Sequence, residues 1–103
     1  MESQKTSLLS NLIESIENKR DDLIALTQDL VKIPTLNPPG ENYLEICEYL
    51  KNRLKKSNFN IELIRANGSP GDSDEFPRWN IIGRREGSGK GDCVHFNSHT
   101  DVV

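Results

Sequence analysis

The sequence predicts an α/β protein in which two or three helices precede three strands. Two observations carry this. Apolar residues recur at three-, four- and seven-residue steps from Ser7 to Lys32 and again from Glu41 to Ser57, the period of amphipathic helices. Downstream, β-branched and aromatic residues mark Asn60–Ala66, Trp79–Arg85 and Cys93–Ser98 as strands, separated by segments rich in Gly and Pro. Helices followed by strands read as one edge of an α/β layer whose remaining strands and covering helices are absent.

In the first helical segment Leu9, Ile16, Leu23 and Leu30 recur every seven residues, with Leu8, Leu12, Ile13, Ile24, Leu26 and Val31 beside them. The run Asn18-Lys19-Arg20-Asp21-Asp22 interrupts the stripe. It is either an exposed turn of one long helix or a break after which Asp21 or Asp22 caps a second helix. The heptads are too few for a coiled coil, so packing against a sheet is the expected fate of this face. Pro34 ends the helix at Ile33, and Pro34-Thr35-Leu36-Asn37-Pro38-Pro39-Gly40 reads as a rigid loop. In the next helix Tyr43, Ile46, Cys47, Leu50 and Leu54 line one face. Lys51, Arg53, Lys55 and Lys56 load its C-terminal half with charge that suits the helix dipole. Asn67–Arg78 is a long polar loop. Glu86–Asp92, with Gly87, Gly89 and Gly91, is a plain connection, because neither a Lys-Ser/Thr pair nor a helix follows the glycines as a phosphate cradle requires.

Composition narrows the function. A chain of 103 residues allows one domain with a thin core. A net charge of −3, with basic and acidic residues interleaved, leaves no electrostatic footprint for nucleic acid. The N-terminus lacks the pattern of a signal peptide, and no stretch approaches the ~20 apolar residues of a membrane span. Cys47 and Cys93 stand far apart and outside any CxxC pair, and they are expected to be reduced, partly buried thiols of a cytoplasmic protein.

The chemistry concentrates at the end of the chain, in His95-Phe96-Asn97-Ser98-His99-Thr100-Asp101-Val102-Val103. On a regular strand His95, Asn97, His99 and Asp101 would share one face. The backbones of His95 and His99 would then lie about 13 Å apart, too far to chelate one ion. A helical reading, which would unite them, lacks the Glu of an HExxH motif, since Phe96 stands in that place. His95 is therefore expected to be structural. His99 and Asp101, about 6.6 Å apart along an extended backbone, suit a metal-binding imidazole with a carboxylate behind it.

These last ten residues, Val94 to Val103, resemble the first metal-binding signature of the dinuclear zinc hydrolases. That family includes acetylornithine deacetylase, succinyl-diaminopimelate desuccinylase, aminoacylase and the glutamate carboxypeptidases. Three more segments are similar to the family's pattern in the same order: Asp29-Leu30-Val31-Lys32-Ile33-Pro34-Thr35, Asn37-Pro38-Pro39-Gly40 and Arg78-Trp79-Asn80-Ile81-Ile82-Gly83. The nearest branch is the deacetylase and desuccinylase one. Ser98 departs from the pattern, which has Gly before the His, and residues before about 20 are less similar to it.

The resemblance implies that residues 1–103 are the N-terminal portion of the catalytic domain of an α/β/α sandwich zinc hydrolase. The rest of that domain and a dimerisation domain would lie beyond Val103. It implies that His99 binds one of two zinc ions, for which Co²⁺ is a possible substitute, and that Asp101 orients His99. The ions would lower the pKa of a shared water toward ~7 and stabilise the oxyanion, while a downstream Glu takes the proton. The substrate would be the amide bond of an N-acyl amino acid or small peptide, and the intact enzyme would be a homodimer. The 103-residue piece alone is expected to be inactive, poorly stable and weak in zinc binding, since one imidazole does not make a zinc site. The rival reading, from the stripe at Ser7–Lys32, is a non-catalytic helical interaction module.

Overall fold

A computed structural model describes all residues, 1–103. It divides into two compact units, Met1–Lys32 and Ile33–Val103.

The first unit holds α1 (Glu2–Asn18) and α2 (Arg20–Val31). The break falls inside the polar run, at Lys19 with φ −101° and ψ 10°. Neither Asp21 nor Asp22 caps α2. Lys19 ends one helix and begins the next, so its backbone carries both ends: its N–H donates to Ile16 O at 3.0 Å and its carbonyl accepts from Leu23 N at 2.9 Å. The two acids lie in the first turn of α2, where negative charge suits the dipole. The expected sheet is not part of this unit, which consists of two helices. Leu8, Leu12 and Ile16 are 71%, 56% and 52% exposed.

The second unit carries the core. It contains α3 (Tyr43–Lys55), β1 (Asn60–Arg65) and β2 (Trp79–Arg84). The strands pair antiparallel in a register that sets Ile61 opposite Gly83, Leu63 opposite Ile81 and Arg65 opposite Trp79. These pairs share the face that α3 covers. Gly83 lies beneath Leu54 of α3: a Cβ there would come within 3.3–3.4 Å of Ile61, Leu54 and Phe59, so its lack of a side chain permits the close packing. The opposite face leaves Ile64 and Ile82 exposed. The core is thin, with Tyr43, Ile46 and Cys47 its buried apolar side chains.

The expected third strand, Cys93–Ser98, does not form. Val94 and Phe96 are exposed, and the segment has no ladder partner. A strand exists only where a neighbour takes up its N–H and C=O groups, and residues 93–98 have no such pairing. Pairing resumes at one point, a parallel bridge between Val102 and Leu36. Both cysteines are free, but only Cys47 is buried; Cys93 is exposed, on the unpaired segment. The architecture is thus three helices and a two-stranded antiparallel sheet, a partial α/β domain. No helix is long and apolar enough to cross a membrane.

Candidate functional site

The loop between α2 and α3 is shaped by its prolines and glycine. The Asn37–Pro38 and Pro38–Pro39 peptide bonds are cis. Gly40 (φ +106°) returns the chain so that its N–H and that of Glu41 both donate to Leu36 O, at 2.9 and 3.0 Å. Asn42, in the left-handed region, donates its side-chain amide to Pro34 O at 2.7 Å, which ties the loop's two ends together.

This loop grips the end of the chain. Val102 N donates to Thr35 O (2.9 Å), and Asn37 N donates to Val102 O (2.7 Å). The buried Thr35 hydroxyl donates to Thr100 O at 2.6 Å. Asp101, between them, turns its carboxylate inward. Its Oδ2 accepts from Asn37 Nδ2 at 2.9 Å and from the Tyr43 hydroxyl at 3.4 Å. Its Oδ1 lies 2.9 Å from His99 Nδ1. The hydrogen bond from Asn37, with a further one from His99, holds the Asp101 carboxyl below the usual range although partial burial opposes this.

The same contacts set the state of His99. Nδ1 faces two acceptors, Asp101 Oδ1 and the Asp101 carbonyl at 3.1 Å. A neutral imidazole placed so must carry its proton on Nδ1. Nε2 is then the lone-pair nitrogen, on a side chain that is 83% exposed. The ring is therefore presented as a free donor with a carboxylate behind it, the arrangement typical of a metal-binding histidine. His95 is exposed and is not drawn into this cluster.

Behind Asp101 stands Arg78, from the residue before β2. Its Nη1 donates to the Tyr43 hydroxyl at 2.7 Å, and its Nη2 donates to Asn37 Oδ1 at 3.1 Å and Pro39 O at 3.3 Å. The guanidinium also lies against the Tyr43 ring, 5.2 Å from its centroid. Burial, then the nearby Asp101 charge, pushes the Tyr43 phenol up, which keeps its proton available to donate. Arg78 is set by a second anchor: its backbone N–H donates at 2.9 Å to Asp72, which also accepts from Gly68 N at 3.1 Å and from Arg65. Asp72 is thus a brace for the loop 67–78. Asn37, Tyr43 and Arg78 were not singled out as site residues by the sequence. The signal that they matter was their place in or beside the ordered segments Asn37-Pro38-Pro39-Gly40 and Arg78-Trp79-Asn80.

As a metal centre the site is partial. No three His, Cys, Asp or Glu side chains gather to hold an ion, whereas structural zinc takes four ligands and catalytic zinc three from protein. The residues present fit one ligand, His99, and its support.

Known proteins similar to the chain include a desuccinylase and a deformylase. The chain is 34% identical over 82 residues to succinyl-diaminopimelate desuccinylase of Cereibacter sphaeroides, a match covering 80% of this chain and 18% of that enzyme. It is 29% identical over 59 residues to N-formyl-4-amino-5-aminomethyl-2-methylpyrimidine deformylase of Halalkalibacterium halodurans, covering 57% of this chain and 14% of that enzyme. The chain thus spans less than a fifth of the length of these curated relatives. No family model and no solved structure matches it. The similarity relates the chain to hydrolases in general.

Proposed function

We propose that residues 1–103 form the N-terminal portion of the catalytic domain of a metal-dependent hydrolase that cleaves the amide bond of N-acyl amino acids or small peptides. The observation that carries this reading is the His99 imidazole, tethered by Nδ1 to Asp101 and open at Nε2. The similarity to a desuccinylase and a deformylase supports the substrate class, since both names describe removal of an acyl group. In this reading His99 contributes one ligand to zinc, and Asp101 keeps its tautomer and direction. The metal, when bound, supplies Lewis acidity toward water and the carbonyl oxygen. The further ligands, the general base and the dimerisation domain belong to the longer protein.

The test uses that longer protein. His99→Ala is expected to lower kcat/KM for N-acyl amino acids by about 100-fold or more, at least the cost of disturbing a metal ligand's support. Asp101→Ala, which leaves the ligand and the backbone carbonyl at Nδ1 but removes the carboxylate behind the ring, is expected to cost about 10–100-fold. Unchanged turnover in His99→Ala would refute the proposal.

A separate observation favours a second reading, an interaction module: the exposed leucines and isoleucines of α1 and α2. A reading frame that continues past Val103 into further Asp, Glu and His residues favours the hydrolase; a stop codon there favours the module.

A further inference from the structure

We propose that Arg78 and Asn37 are positioning residues that fix the tautomer of His99 by acting through Asp101. The proposal deepens the hydrolase reading, on which its functional meaning rests, and names residues that reading does not use.

Donor and acceptor chemistry fixes the orientation of the Asn37 amide. A guanidinium only donates, so the Asn37 atom 3.1 Å from Arg78 Nη2 must be the amide oxygen. An ionised carboxylate only accepts, so the Asn37 atom 2.9 Å from Asp101 Oδ2 must be the amide nitrogen. The two constraints agree, and a flipped amide would make both contacts repulsive. Tyr43 repeats the logic. Its oxygen accepts from Arg78 Nη1 at 2.7 Å, which leaves its proton for the same Asp101 Oδ2 at 3.4 Å. Two branches thus start on one guanidinium and end on one carboxylate oxygen. The other oxygen, Oδ1, is left for His99 Nδ1.

The head of the relay is itself immobilised. Pro39 O accepts from Nη2, and the guanidinium lies in a cradle formed by the bare backbone of Gly40 and Gly71. Only a planar fork reaches Tyr43 and Asn37 together; a lysine ammonium on its flexible stem does not present that fixed geometry.

The decisive variant is Asn37→Asp. It keeps the size of the side chain and its contact with Arg78, but sets a carboxylate against Asp101 in place of a donor. A role limited to packing would leave His99 untouched. The readout is the ¹⁵N spectrum of the His99 imidazole in the metal-free protein, at a pH where histidine is neutral. Wild type is expected to favour the Nδ1–H form by about tenfold or more, the ratio a charge-assisted hydrogen bond supports. Asn37→Asp is expected to move that ratio at least halfway toward the value in Asp101→Ala. Arg78→Lys is expected to shift it in the same direction. The amide dispersion of β1 and β2 reports folding. If Asn37→Asp unfolds, Arg78→Lys carries the decision; if that unfolds too, Tyr43→Phe, which deletes one hydroxyl, carries it. A wild-type His99 ratio in the first folded variant of this series overturns the relay. Because the spectrum is read without metal, active His99→Ala enzyme would sink the hydrolase reading while leaving the relay to be judged on its own signal.

Discussion

The cradle around Arg78 gives a sharp prediction for glycine substitutions. Gly40, Gly68 and Gly71 all have positive φ, at +106°, +75° and +84°. Adding a Cβ costs each about 1–2 kcal/mol for a left-handed backbone. Their surroundings differ. At Gly68 the new methyl meets nothing within 4 Å. At Gly40 it falls 2.8 Å from Arg78 Nη1, 2.9 Å from Cζ and 3.2 Å from the Tyr43 ring, and at Gly71 it collides with Nη2. A flexible side chain could yield, but this guanidinium is held by Tyr43, Asn37 and Pro39, so yielding breaks bonds. Losing one charge-assisted hydrogen bond adds about 1.5–3 kcal/mol. Gly68→Ala is therefore expected to cost about 1–2 kcal/mol and Gly40→Ala about 2.5–5 kcal/mol. Urea unfolding followed by circular dichroism measures both, with the difference read from the midpoints at constant m. The Arg78→Ala background supplies the control. There the excess cost of Gly40→Ala should vanish, a coupling of about 2 kcal/mol. Equal costs at Gly40 and Gly68, or an excess that survives removal of Arg78, would refute the cradle.

Two more outcomes follow from the structure. The Asp72 carboxyl, 4% exposed, is held below its ordinary value chiefly by the Arg78 N–H, with Arg65 and Gly68 adding to this. A depressed native value means that its stabilisation is fully present above the unfolded value near 3.8 and is lost as pH falls through the lower native value. Asp101 acts in the same direction. Asp72→Asn should therefore lower the urea midpoint at neutral pH and flatten its decline in acid; parallel acid profiles would contradict this assignment. On α1, Ile16 is half exposed, so Ile16→Lys should change stability by no more than about 0.5 kcal/mol. A loss well above that would mean the apolar face is covered in solution.

What the sequence revealed of the fold was what is local. The helix period placed α3 within two residues of its ends, and β-branched clustering placed β1 and β2 within one. The polar run at Asn18–Asp22 left open one long helix or a break capped by Asp21 or Asp22; the structure has the break, at Lys19, without a side-chain cap. The segment Cys93–Ser98 has strand composition, yet it is unpaired. Val94 and Phe96 report a preference for a pleated surface, and that preference becomes a strand only when a distant segment supplies the ladder.

The site divides along the same line. His99 and Asp101 lie two residues apart, so their contact was readable from spacing. Asn37, Tyr43 and Arg78 reach Asp101 from separate segments, and no local pattern announces that they converge. The reason they are needed lies in the core. Three buried apolar side chains are few to hold the segment around Asp101, and none of them belongs to it. Directional bonds from the loop do the holding instead: Thr35 on either side of Asp101, Asn37 on its carboxylate and on Val102. Apolar burial would fix only the depth of that segment. Hydrogen bonds fix its rotation as well, and rotation decides which oxygen of Asp101 meets His99. A site built this way is sensitive to small changes at a distance, so a single methyl added at Gly40, which touches neither His99 nor Asp101, should reach the imidazole through Arg78 and Asn37.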